Sequence, residues 1–282
     1  MNKELMGALD ELEREKNISK ETLLDAIEQS LIQAYKNHFG KADNVHVTIN
    51  RETGDFSVYA DRRVVEFVED PAEEVSLVEA QKQNTNAEVG DILKVPVHSD
   101  KFGRIATQNA KNVILQKIRE EERKVLFDQY HGNEKEVVTG IVQRVVGHNV
   151  SVNLGKADAI LAENEQVKGE TFKPTERIKV YILEVKDTPK GPRILVSRTH
   201  PGLVKRLFES EVAEVKDGTV EIKSIAREAG SRTKLAVWSN DPDVDPVGAC
   251  VGVNGARVSA IVNELRGEKI DIINWDENPA IL

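Results

Sequence analysis

The 282-residue sequence predicts an α+β multidomain fold, and three observations predict it. Apolar residues recur at helical spacing through much of residues 1–133, ending in one long charged stretch. Short β-branched runs separated by glycine-containing turns fill 134–199. From 200 to 282 the order is helix, strand, strand, helix, a glycine pair, helix and strand. The expected domains are therefore 1–133, 134–199 and 200–282.

In the first domain, Leu5, Leu9 and Leu12 give a short amphipathic helix. Ser19, with Thr22 one turn later, is the expected N-cap of a second helix reaching His38, with Leu23, Leu24, Ile27 and Leu31 inward. Two strands, 45–49 and 56–59, join at Thr53-Gly54-Asp55 as a hairpin, and 64–68 would extend the sheet. After Gly90 another strand covers 92–97, and a helix then runs from 104 to 130. Its Ile105, Val113 and Ile118 recur at helical spacing, while Lys111, Arg119, Arg123 and Lys124 are solvated. A charged helix of that length ordinarily presents a solvated face; the alternative is a spacer that holds one domain away from the next.

Five strands are expected in the second domain, at 137–146, 150–154, 157–161, 178–185 and 194–197. Five antiparallel strands in so short a span indicate an OB-fold barrel. Its opening Thr139-Gly140-Ile141-Val142 and closing Val196-Ser197-Arg198 resemble the OB module of the largest ribosomal small-subunit protein. That family stacks bases on aromatic residues, and the equivalent positions here are Ser151 and Ala162. Stacking contributes about 1–3 kcal/mol per base, so the barrel alone is expected to bind RNA poorly, with Arg144, Lys156 and Lys190 offering phosphate contacts.

In the third domain Leu203, Val204, Leu207 and Phe208 mark the first helix. Val220, Ile222 and Ala226 alternate on one strand and Leu235 and Val237 on the next, across a turn at Ala229-Gly230-Ser231. Pro246 opens a short helix, and Gly252-Val253-Asn254-Gly255 comes next. Val258, Ile261, Val262 and Leu265 then make one helical stripe, Gly267 suits a left-handed helix end, and 269–273 reads as a strand. This αββααβ order around GxxG is the bacterial KH arrangement. A KH loop grips about four nucleotides through backbone N–H groups, and a side chain at either glycine would hold the phosphates away. The expected RNA-binding residues are Gly252, Val253, Asn254, Gly255 and Arg257, with Arg227, Arg232 and Lys234 extending a basic surface. The bland alternative is a helix-to-helix turn in an enzyme core. A phosphate loop of the nucleotidase kind fits less well still, because no Gly-Lys-Ser/Thr comes after it.

Composition sets limits on partners. A net charge of -9 argues against a general nucleic-acid coat, but phosphate contacts act within a Debye length of roughly 8–10 Å, so a local site is compatible with it. One cysteine, Cys250, excludes an internal disulfide and a multi-cysteine zinc site, and lies in an apolar stretch where it reads as core. The six histidines lack ligand spacing, and Asp241, Asp243 and Asp245 begin like a calcium loop but meet Pro246 where glycine is required. No metal, cofactor or catalytic group is therefore expected. The charged start, without an apolar core segment, points to a cytoplasmic protein with no membrane contact.

Three stretches, Gly230-Ser231-Arg232-Thr233-Lys234, the run from Asp245 to Gly252, and Gly267-Glu268-Lys269-Ile270-Asp271-Ile272-Ile273, resemble the NusA family of bacterial transcription termination and antitermination factors, and the order of modules matches along the chain. The resemblance implies docking on RNA polymerase through the N-terminal domain, nascent single-stranded RNA held by the OB and KH modules, and other antitermination factors as partners. It also implies pausing, termination and antitermination as outcomes, and RNA-hairpin contacts by basic N-terminal residues, for which Lys36, Arg104 and Lys111 are the candidates. Two departures stand out. Val253-Asn254 supplies no basic residue inside GxxG, and the family continues into a second KH module where this sequence stops at Leu282, so the chain is either truncated or lacks an extended RNA surface. Polynucleotide phosphorylase also combines KH and OB modules, but in the opposite order and behind a catalytic core. A ribosomal KH protein would explain the KH module alone.

Overall fold

The computed structural model describes residues 2–39, 43–98 and 100–282. Packing divides the chain into two units, Met1–Glu122 and Arg123–Leu282. In the first, helices α1 (Asn2–Lys16) and α2 (Lys20–Phe39) lie against strands β1 (Val45–Ile49) and β2 (Phe56–Val65). The Ser19 hydroxyl accepts from Thr22 N at 3.4 Å, the expected N-cap. Leu9, Leu23, Leu24, Ile27 and Leu31 are buried, as the helical spacing requires.

The remainder of this unit differs from expectation. β2 is ten residues long, so Val64 and Val65 belong to it and 66–68 leave the sheet. Two elements were not anticipated: β3 (Glu74–Ser76), parallel to the end of β2, and α3 (Leu77–Gln83). The signal was Ser76 three residues before Glu79, a capping-box spacing, and Ser76 Oγ does accept from Glu79 N at 3.3 Å. Strand β4 (Ile92–Pro96) runs antiparallel to β2, and a small second core of Val64, Val75, Ala80, Ala87 and Val95 lies beneath.

Helix α4 (Asp100–His131) begins four residues before the expected start. Phe102, Ala106 and Ala110 pack in the first unit, while Leu126, Phe127 and Tyr130 pack in the core of the second. The packing boundary therefore falls inside this helix rather than at Asn133, because its last turns fill the barrel's base.

The second unit contains the barrel and the C-terminal αββααβ module. Strands β5 (Val137–Val146), β6 (Asn149–Asn153), β7 (Asp158–Leu161), β8 (Arg177–Thr188) and β9 (Gly191–Ser197) close in the order β5-β6-β7-β9-β8. One pairing corrects the antiparallel expectation: β7 and β9 are parallel, which is how the barrel closes. Val152, Leu161, Val180, Ile182, Ile194 and Val196 fill its interior. Then come α5 (Pro201–Glu211), the unanticipated short α6 (Ala213–Lys216), β10 (Val220–Glu228), β11 (Arg232–Ser239), α7 (Pro246–Val251), α8 (Ala256–Glu264) and β12 (Lys269–Asn274). The sheet order is β10-β11-β12, with β12 parallel to β11. Leu203, Leu207, Phe208, Leu235, Val237, Cys250 and Ile261 form the core between helices and sheet.

Candidate nucleic-acid interface

The glycine tetrad joins α7 to α8 by backbone that side chains tolerate poorly. Asp245 caps α7, accepting from Val247 N at 3.2 Å, and Pro246 fixes its first turn. The helix ends at Gly252, whose φ of 77° and ψ of 175° lie in a region essentially reserved for glycine. A Cβ there would also sit 2.8 Å from Arg257 Cγ. Asn254 (φ 53°) and Gly255 (φ 74°, ψ 16°) are left-handed, and Gly255 starts α8. Val253 is 83% exposed and Asn254 is exposed, so the loop projects its backbone, while the Gly255 N–H donates to the Gly252 carbonyl at 3.1 Å and the Ala256 N–H to the Val253 carbonyl.

The basic residues predicted around this loop are not gathered at it. Arg257 folds back: its Nη1 donates to Glu214 Oε2 at 2.7 Å and to the Ala249 carbonyl at 2.8 Å, because the side chain covers Gly252 and meets α6. It is half-buried and paired, not a free cation at the loop. Arg227 is a clear correction. Its side chain is 1% exposed and its partner Glu268 is fully buried. Nε and Nη2 donate to the Glu268 carboxylate, each at 3.1 Å, and Nη1 to the His200 carbonyl at 2.9 Å. Glu268 also accepts from Gly230 N at 2.6 Å and Thr233 Oγ1 at 2.8 Å. Arg227 thus ties the hairpin to the start of β12 and cannot reach RNA.

Arg232 and Lys234 are exposed, but alternation along β11 sends them to the face opposite the helices: Thr233, Leu235 and Val237 are the buried set. Arg232 Nε lies 3.5 Å from Asp271 across the parallel pair. In the first unit Lys36, Arg104 and Lys111 are exposed, and the seven-residue spacing of the last two puts them on one side of α4. Lys111 stands at an apolar groove of about 300 Å³ lined by Leu5, Ile27, Phe56, Ala110 and Ile114.

Barrel and KH module are joined by charges that residue type alone could not reveal. Arg198, 1% exposed, donates to Glu170 at 2.7 and 2.8 Å, to the Lys179 carbonyl at 2.7 Å and to the Glu264 carbonyl of α8 at 3.0 Å. Arg266 reaches the Thr171 carbonyl at 2.6 Å and Glu176 at 2.8 Å, and packs over Phe172 at 5.1 Å. Tyr181 stacks on His200 with centroids 4.5 Å apart. Phe172 and Tyr181 are the only phenylalanine, tyrosine or tryptophan residues between 134 and 199, and both are engaged at the junction. At the positions where stacking rings were sought, Ser151 donates to Gln143 at 3.0 Å and Ala162 precedes a short turn.

Among the described residues no group of three or more His, Cys, Asp or Glu has metal-ligating geometry, and no helix is long and apolar enough to cross a membrane. Burial raises the Cys250 thiol to about 11, with Glu214 adding to it, the environment of an inert core cysteine.

Comparison with known proteins agrees with this architecture. Residues 4–124 match the NusA N-terminal domain, 132–197 the S1 RNA binding domain, and 198–275 the NusA-like first KH domain. The transcription termination/antitermination protein NusA of Bacillus subtilis is 54% identical over 99% of this chain and 75% of that protein. Its Thermus thermophilus counterpart is 40% identical over 99% and 75%. A solution structure of the NusA N-terminal domain from B. subtilis is 49% identical, covering 44% of this chain and 99% of that one, with a TM-score of 0.37. With three consecutive modules matched and such identity over three-quarters of its relatives' length, the chain belongs to the NusA family.

Proposed function

We propose that this chain is a transcription elongation factor of the cytoplasm that holds single-stranded RNA in the Gly252–Gly255 loop and docks on RNA polymerase through its N-terminal unit. Its effects are on pausing, termination and antitermination, the last two being the roles its relatives' names state. It acts by binding, without catalysis, a cofactor or a metal, and other antitermination factors join it. The observation that carries the reading is the loop's backbone. Gly252 and Gly255 hold conformations that keep side chains off the surface where phosphates would lie, at the start of a nine-residue helix. The apolar groove beside Lys111 supports protein docking in the other unit, because a recess lined by leucine, isoleucine and phenylalanine favours a polypeptide over a phosphate backbone. Lys36, Arg104 and Lys111 are proposed to face structured RNA.

Gly255→Asp tests the RNA half in the whole chain. A Cβ at this position has only distant neighbours, 3.9 Å or more, and aspartate tolerates left-handed backbone, so the variant folds. Ultraviolet crosslinking to single-stranded RNA should fall by about tenfold or more, a loss of at least ~1.4 kcal/mol. Unchanged crosslinking in a folded variant would contradict the clamp. Co-elution with purified bacterial RNA polymerase tests the other half, and failure to co-elute removes it.

A further inference from the structure

The chain has two tryptophans, Trp238 and Trp275, and the fold brings them together. Trp238 lies near the end of β11 and stays 45% exposed, while its neighbours Leu235 and Val237 are buried beneath the helices. Because β12 runs parallel to β11 with Asn274 opposite Val237, the next residue, Trp275, donates its N–H to the Val237 carbonyl at 2.8 Å. The two indoles meet edge to face at 5.9 Å and 85°. Lys223, at the irregularity in β10, places Nζ 5.6 Å from the Trp275 ring centre. With Pro242, Val244 and Pro246 the indoles wall an open notch of about 260 Å³, rimmed by Ser239 and Asn274.

The position matters as much as the chemistry. Pro246 starts α7 and Gly252 ends it, and six helical residues span about 9 Å. RNA gripped at the loop would therefore reach the notch within a few nucleotides. Arg232 and Lys234 lie on the same open face of the sheet as Trp238 by strand alternation. The barrel's own aromatics are engaged with His200 and Arg266. Glu221 pairs with Lys223 and Asp271 with Arg232, while Asp241, in the notch lining, accepts from Asp243 N at 2.9 Å and Asp276 from Asn278 N at 2.8 Å. Exposed ring area with a flanking ammonium group suits stacked bases.

We propose that the Trp238–Trp275 notch is a base-stacking subsite for single-stranded RNA, taking nucleobases that lie beyond those held by the Gly252–Gly255 loop. The proposal rests on the RNA-binding reading above and extends its footprint. Stacking supplies the affinity, and Lys223 supplies at most one phosphate contact, so binding at this subsite depends weakly on salt, with a slope of ~0.7 for that single contact.

Intrinsic fluorescence reads the subsite directly, since both tryptophans of the chain form it. Titration of the whole chain with a mixed-sequence RNA twelve-mer should quench tryptophan emission in step with the anisotropy of a labelled copy. Trp238→Ala should weaken the twelve-mer by about 5- to 150-fold, the range for one lost stacking ring, leave tetranucleotide binding unchanged, and be partly rescued by Trp238→Phe. Retention of the wild-type urea midpoint, followed through Trp275, shows that the variant is folded. RNA saturation without quenching, or a folded Trp238→Ala with wild-type affinity, overturns the proposal, as does quenching by a basic peptide but not by RNA. Quenching that persists in a Gly255→Asp variant with undiminished RNA affinity supports the notch and refutes the clamp, so the two readings fail separately.

Discussion

Glu268→Ala is the sharpest test of the structural role assigned to Arg227. The substitution deletes the acceptor of the Arg227 guanidinium, of Gly230 N–H and of Thr233 Oγ1, all at a side chain with no exposure. Arg227 keeps only the His200 carbonyl, at 2.9 Å, with its own side chain 1% exposed. A buried charge left without its partner costs about 3–5 kcal/mol. With a urea slope of about 2 kcal/mol per molar, the unfolding midpoint should fall by roughly 1.5–2.5 M. Tryptophan emission tracks the transition, because Trp238 lies on the strand that carries Thr233. The double variant Arg227→Met/Glu268→Leu removes both charges and should recover about half the loss, the rest being the stranded Gly230 and Thr233 donors at about 1 kcal/mol each, the low end for an unsatisfied buried group. RNA affinity of the refolded double variant should equal the wild type. A midpoint shift worth under about 1 kcal/mol for Glu268→Ala would mean that water reaches the pair. A drop in RNA affinity for the double variant would restore Arg227 to the binding surface. Either result refutes the reasoning.

Two more outcomes are expected in the same region. Gly252→Ala should destabilise the protein by about 1–3 kcal/mol, because φ 77° with ψ 175° is strained for alanine and its Cβ would crowd Arg257; calorimetry checks this, and an unchanged melting temperature would show that the loop relaxes freely. The Cys250 thiol, raised by burial to about 11, is neutral in the fold, so at pH 8 only about one molecule in a thousand carries the thiolate. Alkylation by iodoacetamide should therefore be slow and track unfolding, and stability should decline as pH rises from about 8.5, the ordinary thiol value, to about 11. Rapid alkylation of the native protein would contradict this burial.

Elements with a strong local period were legible in the sequence. The spacing of Leu23, Ile27 and Leu31 specifies a helix face, and β-branched runs between glycines specify the barrel strands. Short elements held by tertiary pairing were not: β3 has three residues, and α3 is signalled only by Ser76 and Glu79. Register and direction were also hidden. The parallel β7–β9 pair and the approach of Trp238 to Trp275 exist only once distant strands align. At the site, the glycines were readable because glycine is a statement about backbone. The arginines were not, because residue type does not say whether a carboxylate such as Glu268 or Glu214 lies within reach.

The net charge of -9 also changes meaning once it is placed on the fold. Between residues 66 and 91 eight carboxylates face a single lysine, around the small core beneath β2 and β4. Phe67 there is 84% exposed and Ile92 72%, so the most acidic lobe also shows uncovered apolar side chains. Acid at that density repels a phosphate backbone, and exposed rings and branched chains favour protein contact. The glycine loop, by contrast, carries no charge of its own, and its neighbouring Arg257 is paired with Glu214. On the proposed reading, backbone donors alone would give a weak grip, which tethering on polymerase would make sufficient. At an effective RNA concentration near ~1 mM, a site with a dissociation constant of ~10 μM is occupied about a hundred to one. Under this hypothesis the lobe that repels RNA and the loop that holds it weakly are complementary: one is free to meet protein, and the other needs its RNA delivered. Nanomolar RNA binding by the isolated chain in about 0.15 M salt, where charges are screened beyond roughly 8 Å, would break that argument.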